Sequence, residues 1–120
     1  MFFVDKLCRH FKLSDPSSAN ETVYYRDFKF KRSKTGILIT FELRSGGRIR
    51  GWCRPEIKWL NFTKTPMLKT VIHECAHLSQ GEHKKHERYH NKRHIYLMKR
   101  MVRYCEKMKY WGVNDGIRTA

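Results

Sequence analysis

The stretch His73-Glu74-Cys75-Ala76-His77 places two imidazoles four residues apart, with a carboxylate beside the first. On an α-helix, residues four apart lie one turn above each other on one face, so both rings can address a single ion. Glu74 falls about 100° round such a helix from His73, within reach of a water on that ion without ligating it. This H-E-x-x-H spacing is the residue set of hydrolytic zinc chemistry, two ligands and a general base. Composition alone would produce it in about one shuffled chain in fifty, so its setting matters. It follows the apolar run Met67-Leu68-Lys69-Thr70-Val71-Ile72, and Leu68, Ile72, Cys75 and Ala76 recur at the core spacing of an amphipathic helix.

A catalytic zinc takes three protein ligands and keeps one position open for water. Candidates for the third are His83, His86, His90, His94 and the carboxylates of Glu87 and Glu106. His83 has the offset of the third histidine in H-E-x-x-H-x-x-G-x-x-H, but that pattern's glycine position holds Gln80, with Gly81 one residue later. His90 opens the last amphipathic segment, and folding that segment back onto the motif helix would bring its N-terminal end to the metal.

The elements that must position these residues are legible in outline. Phe3, Leu7 and Phe11 recur every fourth residue, with Val4 on the same side, and predict a helix over residues 2–13 that ends at Ser14-Asp15-Pro16-Ser17-Ser18. Three runs rich in β-formers follow, Thr22–Lys31, Ile37–Leu43 and Arg48–Cys53. They are separated by the turn signals Ser33-Lys34-Thr35-Gly36 and Ser45-Gly46-Gly47 and predict an antiparallel meander. Glu56–Leu60 reads as a short further strand. Thr65 and Pro66 form an N-cap and first helical position for the motif helix, which should end near Gly81. Glu82 to about His90 reads as a loop. A last helix should run to about Trp111, with Gly112 at its end and an apolar stripe of Ile95, Met98, Val102 and Cys105, widened by Leu97, Met101, Tyr104 and Met108. Lys92, Arg93, Lys99, Arg100, Arg103 and Lys107 make its other side basic.

The segment His73-Glu74-Cys75-Ala76-His77-Leu78, followed by His90-Asn91-Lys92-Arg93-His94-Ile95-Tyr96-Leu97-Met98, resembles the SprT-like, Spartan-type zinc metalloproteases. In that family the motif is followed, after a loop, by a His-Gly-x-x-aromatic element whose histidine is the third zinc ligand. The resemblance covers about residues 55–108 and extends to the order of elements. It implies an α+β zincin-like minimal metalloprotease domain: an N-terminal helix, a three- to four-stranded mostly antiparallel sheet, the H-E-x-x-H helix and a C-terminal helix. It implies Zn2+ held by His73, His77 and His90, with Glu74 as catalytic base of an endopeptidase acting on DNA-associated proteins. Asn91 stands at the family's glycine, where it is expected in a left-handed or turn conformation. His94 stands at the aromatic position, as a supporting partner or a competing ligand. The family's Cys-rich zinc ribbon has no counterpart here.

Composition sets the outer bounds. A chain of 120 residues with 40% hydrophobic and 13% aromatic content reads as one folded domain over residues 1–120. A formal charge of +15, spread along the chain, favours a polyanionic partner. The resemblance, with which this charge is compatible, implies a protein or peptide substrate and a nucleic acid, DNA ahead of RNA, as partners. Cys8, Cys53, Cys75 and Cys105 form no C-x-x-C pair, which argues against a zinc ribbon or redox motif and for free thiols in a reducing compartment. Neither a signal-peptide core nor a membrane-length apolar run is visible, so the expected setting is cytoplasmic, or nucleoid or nuclear if bound to DNA, without a membrane partner. An oxyanion stabiliser would come from Tyr89, Tyr96 or a spare histidine, and Arg48–Cys53 or Glu56–Leu60 would hold a peptide by strand addition. The alternative is a small basic nucleic-acid-binding module with a structural or vestigial zinc site.

Overall fold

The computed structural model describes residues 2–42, 51–63, 68–81 and 90–110. Helix α1, Phe2–His10, buries Phe3, Val4 and Leu7 as their spacing predicts, and stops three residues before the expected end because Lys12 turns to φ 59°. Thr65 and Pro66, the Ser45–Gly47 turn and the 82–89 segment lie outside the described residues.

The β-rich runs form two sheets rather than one meander. Thr22–Lys31 is not a single strand but a hairpin, β1 (Thr22–Tyr25) paired antiparallel with β2 (Phe28–Lys31), closed at Tyr25 opposite Phe28. The two-residue turn carries Arg26 at φ 55°. Such turns usually announce themselves by Asn-Gly or Asp-Gly, and Arg26-Asp27 has no such signature. The Ser33–Gly36 turn is present, with the Gly36 N–H donating to the Ser33 carbonyl at 3.0 Å, but it links two sheets instead of closing a hairpin.

The second sheet holds β3 (Leu38–Glu42), β4 (Gly51–Arg54) and β5 (Trp59–Thr63) in the order β3-β5-β4. β5 runs parallel to β3 and antiparallel to β4. The expected strand at Glu56–Leu60 is displaced, because Pro55–Ile57 makes a 3-10 turn and Lys58 sits at φ 52°, so pairing starts at Trp59. Trp59, Leu60, Asn61 and Phe62 are all buried. A strand covered on both faces belongs in the middle of a sheet, so β5 offers no edge and β4 takes that place.

Helix α2, Leu68–Gln80, carries the motif and ends as expected at Gly81, whose φ of 79° suits a glycine cap. Leu68, Val71, Ile72, Cys75 and Ala76 are fully buried against α1, β4, β5 and the last helix, α3 (Lys92–Lys107). The apolar stripe of α3 is rotated from the expected one. His94, Leu97, Met101 and Cys105 face inward, while Ile95 and Met108 are exposed and Met98 and Val102 half-buried. Burying His94 turns the helix by about one residue. α3 also ends at Lys107, where Met108 caps it and Lys109 adopts φ 58°; Trp111 and Gly112 lie outside the described residues. All four cysteines are free, with Cys8, Cys75 and Cys105 buried.

One loop contact locks the N-terminal half to the sheets. The Asp15 N–H donates to the Thr35 carbonyl at 2.7 Å, and the Asp15 carboxylate accepts from Ser17 Oγ at 2.6 Å and Lys58 Nζ at 3.1 Å. Hydrogen bonds from Ser17, Lys58 and Ser18 hold that carboxyl well below the usual range. Gly36, at φ 81°, lies so close that a Cβ there would overlap the Asp15 carbonyl oxygen. Gly36→Ala is therefore expected to cost about 2–3 kcal/mol from backbone strain and lost contact, measured as a lower urea midpoint with an unchanged slope.

Candidate functional site

α2 presents His73 and His77 one turn apart, and the N-terminal end of α3 brings His90 to them. The three Nε2 atoms form a nearly equilateral triangle, with 3.2 Å between His73 and His77, 3.2 Å between His77 and His90, and 3.1 Å between His73 and His90. Nitrogens about 2.0–2.1 Å from a tetrahedral ion lie about 3.3 Å apart, so the triangle has the size of one face of such a coordination shell. His73, His77 and His94 form a looser set with ligand nitrogens within 4.8 Å of one another. Histidines here can hold a metal ion, and the donor chemistry suits zinc or another imidazole-binding transition metal.

Protonation favours the ligating form. Burial first, then His94 and His90, lowers His73 from its ordinary 6.5 to about 4. Burial, then His94 and His73, lowers His77 to about 3, against an opposing hydrogen bond from Gln80. Both rings are neutral at pH 7 and offer lone pairs to a cation.

Two of these rings are held by neighbours. His77 Nδ1 lies 3.3 Å from Gln80 Oε1, and Gln80 Nε2 donates to Asn91 Oδ1 at 2.9 Å. Of the two expected conformations, left-handed or turn, Asn91 does not take the left-handed one: it sits in a bend with φ −93° and ψ −175° and caps α3 by accepting the His94 N–H at 3.0 Å. His94 is 1% exposed, stacks on His77 at 3.9 Å between ring centroids, and places Nε2 3.1 Å from the His73 carbonyl oxygen. A carbonyl oxygen only accepts, so His94 Nε2 carries the proton and its Nδ1 is the nitrogen left with a lone pair.

A cavity of about 710 Å3 opens onto the triangle, lined by Gly51, Trp52, Cys53, Pro55, His73, Glu74, His77 and His90. Glu74 is 6% exposed, and burial raises its carboxyl from 4.5 to about 7. Gly51 lets β4 come close to it, since a Cβ there would lie 2.7 Å from the Asn61 carbonyl oxygen and 3.5 Å from Glu74 Cγ. The Cys53 thiol is pushed well up, mainly by burial and then by the Glu74 carboxylate, so it stays protonated at neutral pH.

Of the residues expected at the site, His73, Glu74, His77 and His90 are brought together. His83, His86, Glu87 and Tyr89 lie outside the described residues. Glu106 is exposed, twelve residues beyond His94 and about 18 Å along α3. Tyr96 is 60% exposed and does not line the cavity. Sequence reasoning passed over Gln80, noticed only as a residue out of place in a glycine pattern. Its position three after His77, on the same helix face, was the available signal.

No protein-family model, curated protein or solved structure matches the chain.

The triangle predicts that His90→Ala loses stoichiometric metal, while His83→Ala keeps it. Metal content of the purified variants by mass spectrometry is the check. Loss in His83→Ala with retention in His90→Ala would reverse the assignment.

Proposed function

We propose that this protein is a zinc-dependent endopeptidase in which His73, His77 and His90 hold the ion and Glu74 is the general base. The observation that carries the reading is the Nε2 triangle beside a buried carboxylate, within a cavity walled by an edge strand. Zinc, when bound, polarises a substrate carbonyl and brings the pKa of its water to about 7. The Glu74 carboxylate then takes the proton from the attacking water and returns it to the departing amine. Its burial suits it to exchange a proton near neutral pH, although a cation beside it would pull its pKa down again.

β4 supports a peptide rather than a small molecule as substrate. Among the described residues Gly51–Arg54 pairs with β5 alone, and Gly51, Trp52 and Cys53 line the cavity. An extended peptide can add to that edge and lie across the site. The likeness to SprT-like proteases, carried by the motif and the order of elements, adds proteins attached to DNA as the substrate class. The formal charge of +15 is compatible with it. Among the described residues no helix is long and apolar enough to cross a membrane.

Glu74→Gln is expected to bind zinc like the parent and to lose at least about 100-fold in cleavage of an unfolded protein substrate. Retained cleavage would remove Glu74 from the mechanism.

A second reading, a nucleic-acid-binding module, is favoured by a groove on the far face of the second sheet. Leu60 and Phe62 of β5 enter the core, so Trp59 and Asn61 point the other way, where the β1–β2 hairpin covers them in part. The groove holds about 530 Å3. Trp59 Nε1 donates to Thr40 Oγ1 at 2.9 Å. With its side-chain amide turned to suit its neighbours, Asn61 accepts from Trp52 Nε1 at 3.3 Å. Both indole N–H groups are thereby tied inward. Arg54 lies over Tyr25 at 5.6 Å and over Trp52 at 5.7 Å. Aromatic faces interleaved with guanidinium groups suit stacked bases and phosphates of a single nucleic-acid strand. On this reading Tyr25→Ala and Arg54→Ala each weaken single-stranded DNA binding by about 1–3 kcal/mol, and Glu74→Gln leaves it unchanged. Fluorescence anisotropy across a salt series measures this, and absence of binding at low salt would dismiss the reading.

A further inference from the structure

The two amide side chains between α2 and α3 carry a directional argument that begins at a backbone atom. The His94 N–H can only donate, and it meets Asn91 Oδ1 at 3.0 Å. That fixes which end of the Asn91 amide faces α2. The group Gln80 presents to the same oxygen at 2.9 Å must then be its NH2. With its NH2 so placed, Gln80 turns its Oε1 to His77 Nδ1 at 3.3 Å. An amide oxygen only accepts, so the proton of His77 sits on Nδ1 and the lone pair on Nε2, the atom aimed at His73 and His90. Each assignment is forced by the preceding one.

We infer that Gln80 and Asn91 form a positioning relay that sets the tautomer of His77 and holds His90 in register with the α2 histidines. The second role follows from connectivity. His90 immediately precedes Asn91, and Asn91 is tied both to α2 through Gln80 and to α3 through the His94 and Ile95 amides, the latter donating to the Asn91 carbonyl at 3.1 Å. No residue separates His90 from this clasp. The His94 bond to the His73 carbonyl at 3.1 Å closes the junction from the other side. Gln80 is 5% exposed, so water does not compete freely for its amide. A histidine ligand whose remote nitrogen is held by such a partner is fixed in orientation, and losing the partner typically weakens metal binding about 10- to 100-fold. Gln80 and Asn91 do not line the cavity and act through His77 and His90.

The inference rests on the metal-site reading for affinity but not for the tautomer, so the test has two arms on the full chain. In the first, zinc affinity is measured by competition with a chromophoric chelator. Gln80→Met, similar in length but without the amide, is expected to bind zinc about 10- to 100-fold more weakly. Asn91→Leu should do the same, and the double variant should lose little more than the larger single loss, because both cut one chain of bonds. Asn91→Asp keeps the acceptor and the helix cap and is expected to stay close to wild type. In the second arm, 15N shifts of the His77 ring in zinc-free protein should report the Nδ1–H tautomer in wild type and a mixture in Gln80→Met. Unchanged affinity and tautomer in Gln80→Met, with binding abolished by His77→Ala, would overturn the relay and leave the metal site standing. Failure of wild type to bind zinc would overturn the metal reading, while the tautomer spectrum still decides the relay.

Discussion

The burial of α2 is the constraint on which the remaining structure depends. Leu68, Val71, Ile72 and Leu78 together contribute about 6–12 kcal/mol of apolar burial, comparable to the whole net stability of an ordinary domain. That term fixes the helix against α1, the second sheet and α3. It also drags polar groups inside, since Glu74, His77 and Gln80 share the helix and are buried with it. Each would cost about 1–3 kcal/mol if left without a partner. His77 and Gln80 meet that demand through each other and Asn91, while burial pushes the Glu74 carboxyl toward its neutral form.

The polar groups then define the opening. His73 is half-buried and His90 exposed, so the nitrogen triangle sits where the covered surface of α2 gives way to the cavity. β4 bounds the cavity because Gly51 allows the strand to approach Glu74 closely. A side chain at that position would press on Asn61 and Phe62 before it reached the carboxylate. Close packing and chemistry are therefore set by the same contact. The same sheet separates two environments, with the core and the histidines on one face and an aromatic, arginine-lined groove on the other.

Departures from sequence expectation have two causes, an unsignalled turn and partners distant in sequence. Thr22–Lys31 reads as one run of β-formers, alternating only over Phe28–Lys31, and its turn is hidden because Arg26 takes a left-handed conformation without the glycine or asparagine that signals one. β5 was read as a minor strand and is the central one, which depends on pairing with β3 some twenty residues earlier. The stripe on α3 was drawn through Ile95, and the structure draws it through His94, since a histidine counts as polar until a carbonyl oxygen is waiting for it. For β5 and α3 the deciding partner is distant in sequence, whereas for the hairpin the turn lacks its usual local signal.

What the sequence determined by itself was whatever a helix encodes locally. The 3.6-residue period put His73 and His77 on one face with Glu74 beside them, the apolar spacing named the core of α2, and Gly81 marked its end. Tertiary structure decided the strand order and brought His90 Nε2 and the Gln80 amide to His77. His90 was chosen by resemblance, and its proximity to His73 and His77 depends on how α3 docks. That docking is fixed by bonds between Gln80, Asn91, His94 and the His73 carbonyl, groups eleven to twenty-one residues apart. No local period records such distances, because hydrogen bonds across a helix junction are set by where the two helices meet, not by the spacing within either.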